Sequence, residues 1–173
     1  MKKIKDNIYH LLHPKLSVLI TSIDKKGSPN VMSCAWTSPA SEIPPIEIIC
    51  IAKESYTAKL INETKQFVIN IPSKKLLKAV WICGSHSGKD TDKFKKAGLK
   101  YKKGKFVKAP VIKGSVGYIE CKLWKTVSAG ECYVFFGKAV YASVDEKYFK
   151  KGGWIKSGEL PLHLAGAKMV YAK

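Results

Sequence analysis

The chain has 173 residues, 46% of them hydrophobic, with 31 cationic residues against 13 acids and a formal net charge of +18. That is the length of one domain, which buries roughly 70% of its extended-chain surface on folding and needs neither a metal nor a disulfide to hold it. Thirteen Gly and eight Pro residues are near average usage and exclude a low-complexity chain, and no apolar run approaches the length of a membrane-spanning helix.

Every cation is lysine; there is no arginine. Base-edge reading and bidentate phosphate clamps favour the planar guanidinium, so this excess speaks for general attraction to anions, or simply for a solvated surface. The five cysteines, at 34, 50, 83, 121 and 132, offer no CxxC and no His/Cys cluster with zinc spacing. Cys50, Cys83 and Cys121 lie in apolar runs, where cysteine is a small buried hydrophobe. The N-terminus begins like a charged leader, but Asp6, His10, His13, Pro14 and Lys15 interrupt any apolar core, so no signal peptide is read and a cytoplasmic, reducing location is expected.

In chain order, residues 16–24 predict a strand closed by a Lys-Lys-Gly-Ser-Pro turn, and 30–37 its antiparallel partner. Ser41-Glu-Ile-Pro-Pro45 forbids a helix and predicts a short crossing loop. IEIICIA at 46–52 is a buried strand. Ser55 then caps a helix running to about Lys65, with Tyr56, Leu60 and Ile61 on one face. A strand over 66–71 is stopped by Pro72, and a helix over 74–83 turns Leu76, Leu77, Val80 and Trp81 inward. A polar stretch, 84–94, leads into a short helix ended by Gly98, and residues 93–108 carry eight lysines and no acid. Long strands over 114–127 and 131–144 follow, joined by a tight turn. Six strands, few helices and no internal repeat or linker predict a single domain over 1–173 built as a closed or nearly closed β-barrel.

GSHSGKD at 84–90 fails as a phosphate loop: Gly84 to Gly88 is one residue too short, and Asp90 stands where a metal-binding hydroxyl belongs. No GxGxxG, nucleophile elbow or metal-binding histidine spacing is present. Lys53-Glu-Ser-Tyr-Thr57 is more informative. It joins a buried strand to a helix N-terminus, where free amides, the Ser55 and Thr57 hydroxyls and the Lys53 charge suit an anion; the alternative is plain capping by Ser55.

The ensemble resembles the FMN-binding split-barrel flavin reductases, in their flavoredoxin-like branch, from about Pro14 to Tyr171. The marks are Asn30-Val-Met, Trp36-Thr-Ser-Pro-Ala-Ser41, Pro44-Pro45, Ser55-x-Thr57 and Phe67-Val-Ile-Asn70-Ile-Pro72. The most diagnostic is Gly84-x-x-Ser87-Gly88-x-x-x-Asp92-Lys93-Phe94, and Ala109-Pro110, Ile119-Glu120-Cys121 and Phe136-Gly137-Lys-Ala-Val140 complete the set.

The resemblance implies an antiparallel six-stranded split β-barrel of Greek-key connection with short peripheral helices, working as a homodimer. It implies that Ser33, Cys34, Ala35, Trp36, Thr37 and Ser38 line the flavin ring, with Asn30 shaping that edge. Lys53, Ser55 and Thr57 would hold the FMN phosphate, and Ser87, Gly88 and Lys93 would reach the same flavin, with Asp92 orienting their loop. No protein residue is implied as catalytic acid or base: NAD(P)H delivers hydride directly, and electrons pass on to a flavin, a ferric chelate or a protein. His163, in PLHLAG, is placed by the resemblance near the nicotinamide side, as a substrate-binding residue. Relatives carry a Gly-Asp-His turn where this chain has Gly130-Glu131-Cys132, so a histidine role there is altered. The rival reading is a non-enzymatic FMN electron carrier whose lysines at 93–108 dock an acidic redox protein. Nucleic acid is disfavoured by the missing arginine and the absence of an evident aromatic stacking strip.

Overall fold

The computed structural model describes residues 1, 3–155, 159–166 and 168–171. Its first apolar run divides into Lys15–Leu16 (β1) and Val18–Ile23 (β2). Strand β2 is buried along its whole length because both its faces are covered, Val18 and Ile20 packing into one cluster and Leu19 into another. The turn after it follows from Asp24, whose carboxylate accepts the amides of Lys26 and Ser28 at 2.9 and 2.7 Å, and from Gly27 at φ 94°. Pro29–Cys34 (β3) then returns antiparallel, from Ile23↔Pro29 to Val18↔Cys34.

The single strand expected over 30–37 is instead two. The chain breaks its pairing at Ala35–Trp36, leaves β2, and continues as Thr37–Ser41 (β4) against Ile46–Ala52 (β5). The Trp36 carbonyl accepts the Cys50 amide at 2.9 Å, so the kink is fixed to β5. Residues 42–45 are thus the turn of a β4–β5 hairpin and not a crossing loop: two prolines, which lack amide donors, sit where the turn needs none.

Helix α1 (Tyr56–Thr64) starts where Ser55 Oγ accepts the Ala58 amide at 3.1 Å, and ends on Lys65 in the left-handed region. It buries Thr57, Ala58, Leu60 and Ile61, while Tyr56 is only half-buried. Leu60 and Ile61 contribute roughly 1.5–3 kcal/mol each by leaving water. Gln66–Pro72 (β6) returns beside β2. A 3-10 turn over Lys74–Leu76 then delays helix α2 to Leu77–Ser85. Val80 is buried as expected and Leu76 packs half-buried against the same cluster, but the shift of phase buries Ala79 and Cys83 and leaves Leu77 and Trp81 half-exposed.

Helix α3 (Lys93–Ala97) is capped by Asp92, whose carboxylate accepts the Lys95 amide at 3.0 Å, and is closed by Gly98 at φ 64°. Tyr101–Lys102 (β7) and Val111–Ile112 (β8) pair and bound the lysine-rich loop between them. Ser115–Ala129 (β9) and Cys132–Val144 (β10) form the long hairpin, turning at Gly130 with φ 56°.

The main sheet runs β3-β2-β6-β9-β10-β5-β4, antiparallel throughout. Strands β5 and β6 are consecutive yet separated by β9 and β10, which is the Greek-key return. The six strand segments expected from the sequence give seven rungs, because the sheet's two ends are the two halves of one stretch, 29–41. The architecture is a split β-barrel with small peripheral helices. Its interior holds Val18, Ile20, Ile49, Ile51, Ile61, Phe67 and Phe135, and a second cluster, with Leu19, Val31, Val80 and Phe94, lies under α2 and α3.

Beyond the barrel, Phe149–Lys150 (β11) pairs with Gly153–Trp154 (β12). Pro161–Ala165 (β13) pairs with Lys168–Tyr171 (β14) and, on its other side, with β1 through Lys15↔His163 and Leu16↔Leu162. The tail is thus fastened to the chain's beginning. Among the described residues no helix is long and apolar enough to cross a membrane.

Candidate functional site

Strand β3 carries the centre of the site. Asn30 is 5% exposed, and its Nδ2 donates to Thr57 Oγ1 at 2.8 Å and to Ser22 Oγ at 3.2 Å. Gly88 lies directly against the same carboxamide: a Cβ there would stand 2.1 Å from Asn30 Oδ1 and 3.0 Å from the Tyr56 ring. Three segments read separately from the sequence, at 30, 57 and 88, therefore meet at one point. A cavity of about 490 Å³ opens beside it, lined by Asn30, Tyr56, Gly88, Asp92, Lys93 and Phe94.

Lys93 begins α3 and is 5% exposed, its ammonium reaching the Cys83 carbonyl at 3.4 Å. Burial lowers its pKa, partly offset by the Cys83 thiol. Ser87 does not face a partner segment: its hydroxyl accepts the Lys89 amide at 3.1 Å and shapes the loop that presents Gly88.

Farther along β3 lies a second cavity, of about 400 Å³, walled by Ser33, Cys34, Ala35, Gly84 and His163. Ser33 donates to the Val80 carbonyl, which ties β3 to α2. Burial raises the Cys34 thiol to about 12, so it stays protonated in any ordinary buffer. His163 Nε2 bonds the Gly166 carbonyl at 2.8 Å, which makes Nε2 the donor and leaves Nδ1 an acceptor. That Nδ1 is buried and has no partner among the described residues. The ring also stacks edgewise on His13, with centroids 5.2 Å apart.

Past the kink, Trp36, Thr37 and Ser38 line a third cavity of about 250 Å³ with Ile48, Cys50 and Tyr9. The Tyr9 ring meets Trp36 edge-on at 5.3 Å. Burial, then the adjacent Cys132 thiol, raises Cys50 to about 11. Cys132 itself is 9% exposed on β10.

The residues expected to cradle a phosphate each have a contact of their own within this chain. Thr57 is 2% exposed and engaged by Asn30. Ser55 serves as the helix cap, and the exposed Lys53 ammonium lies 5.5 Å from the Tyr133 ring centroid. Lys53 and Ser55 stand outside these three cavities. Tyr9 and Ser85, not singled out from the sequence, and Tyr56 and Trp81, read there only as inward helix residues, line them instead. Of these, Tyr56, between Ser55 and Thr57, and Ser85, within the Gly84-x-x-Ser87 motif, lay beside residues already marked, whereas Tyr9 carried no such signal and Trp81 was read as core.

Residues 11–169 match the flavin reductase like domain. The chain is 35% identical over 147 residues to the Escherichia coli K12 protein YddH, covering 83% of this chain and 78% of that one. Among solved structures, a flavoredoxin from Methanosarcina acetivorans superposes with a TM-score of 0.87 at 27% identity, covering 100% of this chain and 91% of the other. An FMN-binding protein from Thermus thermophilus, with bound 1-cyclohex-2-enone, superposes equally well, at 0.87, over 99% of this chain and 93% of its own, and at 20% identity supports the fold alone. This chain belongs to the flavin reductase-like domain family.

Proposed function

We propose that this protein binds FMN and works, as a homodimer, as an NAD(P)H-dependent flavin reductase-like oxidoreductase that hands electrons to a flavin, ferric or protein acceptor. The observation that carries the reading is the meeting of Asn30, Thr57 and Gly88 beside a cavity that Lys93 also lines. The residues fit such a cofactor. Gly88 lets its backbone close directly on the Asn30 carboxamide at the cavity's edge, which any side chain would displace, and the buried Nδ1 of His163, without a partner among the described residues, can accept from a donor that a ligand supplies.

Bound FMN would supply the two-electron chemistry, taking hydride from the pyridine nucleotide. The chain's part is to seat, orient and shield. Ser33, Cys34 and Ala35 wall one side, Trp36, Thr37 and Ser38 continue that wall past the kink, and Lys93 offers a positive charge at the other end. With Nε2 committed to Gly166, the acceptor at His163 Nδ1 suits an amide donor such as a nicotinamide carboxamide. Cys34 is held as a thiol and serves as neither acid nor base. The dimer is supported by Ile8, Leu11, Leu12 and Ile43, apolar side chains that are 59%, 72%, 70% and 90% exposed.

The test is a visible-absorbance and fluorescence titration with FMN, followed by NADH and NADPH oxidation with ferric and flavin acceptors. Bound FMN with turnover is expected. Failure to bind FMN overturns the reading, and tight FMN without turnover assigns the chain to electron carriage between proteins.

A further inference from the structure

A cavity larger than the three described above lies outside them. It measures about 780 Å³, inside the roughly 300–1,000 Å³ range of small-molecule pockets, and is built around the loop between β7 and β8. Tyr101 and Phe106 line it and are 45% and 52% exposed. Each ring is braced from behind, Tyr101 by Phe94 at 4.8 Å and Phe106 by Tyr141 at 5.5 Å. Lys103, Lys105 and Lys108 stand around the same cavity, with Ile23 and Val107 among its apolar lining.

The loop is held by a residue that lines none of the three cavities of the flavin reading. Glu120, fully buried on β9, accepts the amides of Lys105, Phe106 and Val107 at 2.8, 2.7 and 3.0 Å, and Gln66 accepts that of Lys108. Gly104 makes the wrap feasible, since a Cβ there would stand 2.5 Å from the Val107 carbonyl. Glu120 is thereby spent on backbone, and Asp24 and Glu63, which line a neighbouring cavity with Lys108, form no ion pair with that lysine. Of the eight lysines in 93–108, seven are exposed, and among the described residues no ion pair involves any of them. Lys105 already lies over Tyr141, 4.8 Å from its centroid, and beside Phe106 at 5.5 Å, while among the described residues the ammoniums of Lys103 and Lys108 have no partner.

Two propped, half-exposed rings and unneutralised ammoniums on a fixed loop are complementary to a flat heterocycle bearing phosphate. We propose that this cleft binds a nucleoside phosphate, with its base against Tyr101 and Phe106 and its phosphates on Lys103 and Lys108. The cleft shares Pro29 and Tyr101 with the Asn30 cavity, so the ligand is either a free mononucleotide or the adenylate end of a dinucleotide reaching toward that cavity.

The probe is ADP, titrated calorimetrically into the FMN-saturated full-length protein. Lys103→Ala and Lys108→Ala, both at exposed positions, are each expected to weaken ADP about fivefold, and Phe106→Ala likewise, while FMN affinity stays within about twofold. Adenosine and tripolyphosphate should each bind at least about tenfold more weakly than ADP. Competition by NADPH that the same substitutions weaken identifies a dinucleotide as the source, and ADP binding indifferent to NADPH identifies the mononucleotide. The proposal is overturned if ADP does not bind by about 1 mM, or if tripolyphosphate matches it, as a cationic patch suited to an acidic protein would give. It is also overturned if the lysine variants weaken FMN as much as ADP. None of these outcomes requires turnover, so the cleft can fail while the flavin reading stands.

Discussion

Gly137 on β10 and Phe67 on β6 compete for the same point in the barrel: a Cβ on Gly137 would stand 2.5 Å from Cζ of the Phe67 ring and 2.8 Å from Cys121 Cβ. Phe67 and Cys121 are both wholly buried, and the β9–β10 register shifts between Phe136 and Gly137. Gly137→Ala is therefore expected to destabilise by about 1–3 kcal/mol through overpacking. Urea unfolding measures it, and Phe67→Leu in the same chain should return part of the loss. A neutral Gly137→Ala would show that the ring has room to retreat.

Glu120→Gln removes the anion from three backbone donors and turns an NH₂ toward at least one of them. A loss of about 3 kcal/mol is expected, at the upper end for hydrogen bonds to a charged group. Hydrogen exchange should rise first at Lys105, Phe106 and Val107, ahead of the barrel strands.

Lys93 gives a pH signature. Its folded pKa lies below the ordinary lysine value, so between the two the unfolded chain holds the extra proton and stability climbs with pH. The burden is thus full at neutral pH and gone above about pH 10.5. Lys93→Met should raise Tm at pH 7, and the gain should vanish on the alkaline side. Under the proposed function the same variant binds FMN more weakly.

The thiols act in the opposite sense. Burial raises Cys34 to about 12 and Cys83 to about 11, and raises Cys121 as well. Above pH 9 the unfolded chain ionises these groups and the folded one does not, so each removes about 1.4 kcal/mol of stability per pH unit until its folded value is reached. A falling urea midpoint from pH 9 to 11 is expected, less steep in Cys34→Ala. A flat profile over that range would contradict the burial of these sulfurs.

Gly88→Ala forces the Asn30 carboxamide from Thr57 and Ser22. We expect about 1–3 kcal/mol of lost stability and, under the proposed function, at least a tenfold weaker FMN complex, read by flavin fluorescence.

Local chemistry explains what was legible in the sequence. The Ser55 cap, the Gly98 stop and the apolar run at 46–52 depend on neighbours within a few residues, and all three stand where the sequence puts them. The break at Ala35–Trp36 was not legible, because alternation looks the same whether a strand keeps one partner or changes to another. Nor was the meeting of His13 with His163, which depends on β1 pairing with β13 across nearly the whole chain. Within the site, Asn30 and Gly88 were marked, but their contact with each other and with Thr57 belongs to tertiary packing. Glu120 was seen only as part of a pattern, since nothing in its neighbours announces that it collects amides from a loop about fifteen residues earlier.

The shared strand at 29–41 has a consequence for self-association. An open sheet exposes a row of unused amides and carbonyls at each margin, a template on which a stray chain can add and aggregate. Here one margin is continuous backbone with the other, and Ser33 fastens it to the helix above. Peeling it back for an intruding strand would mean stripping ladder bonds from β2 and β5 together.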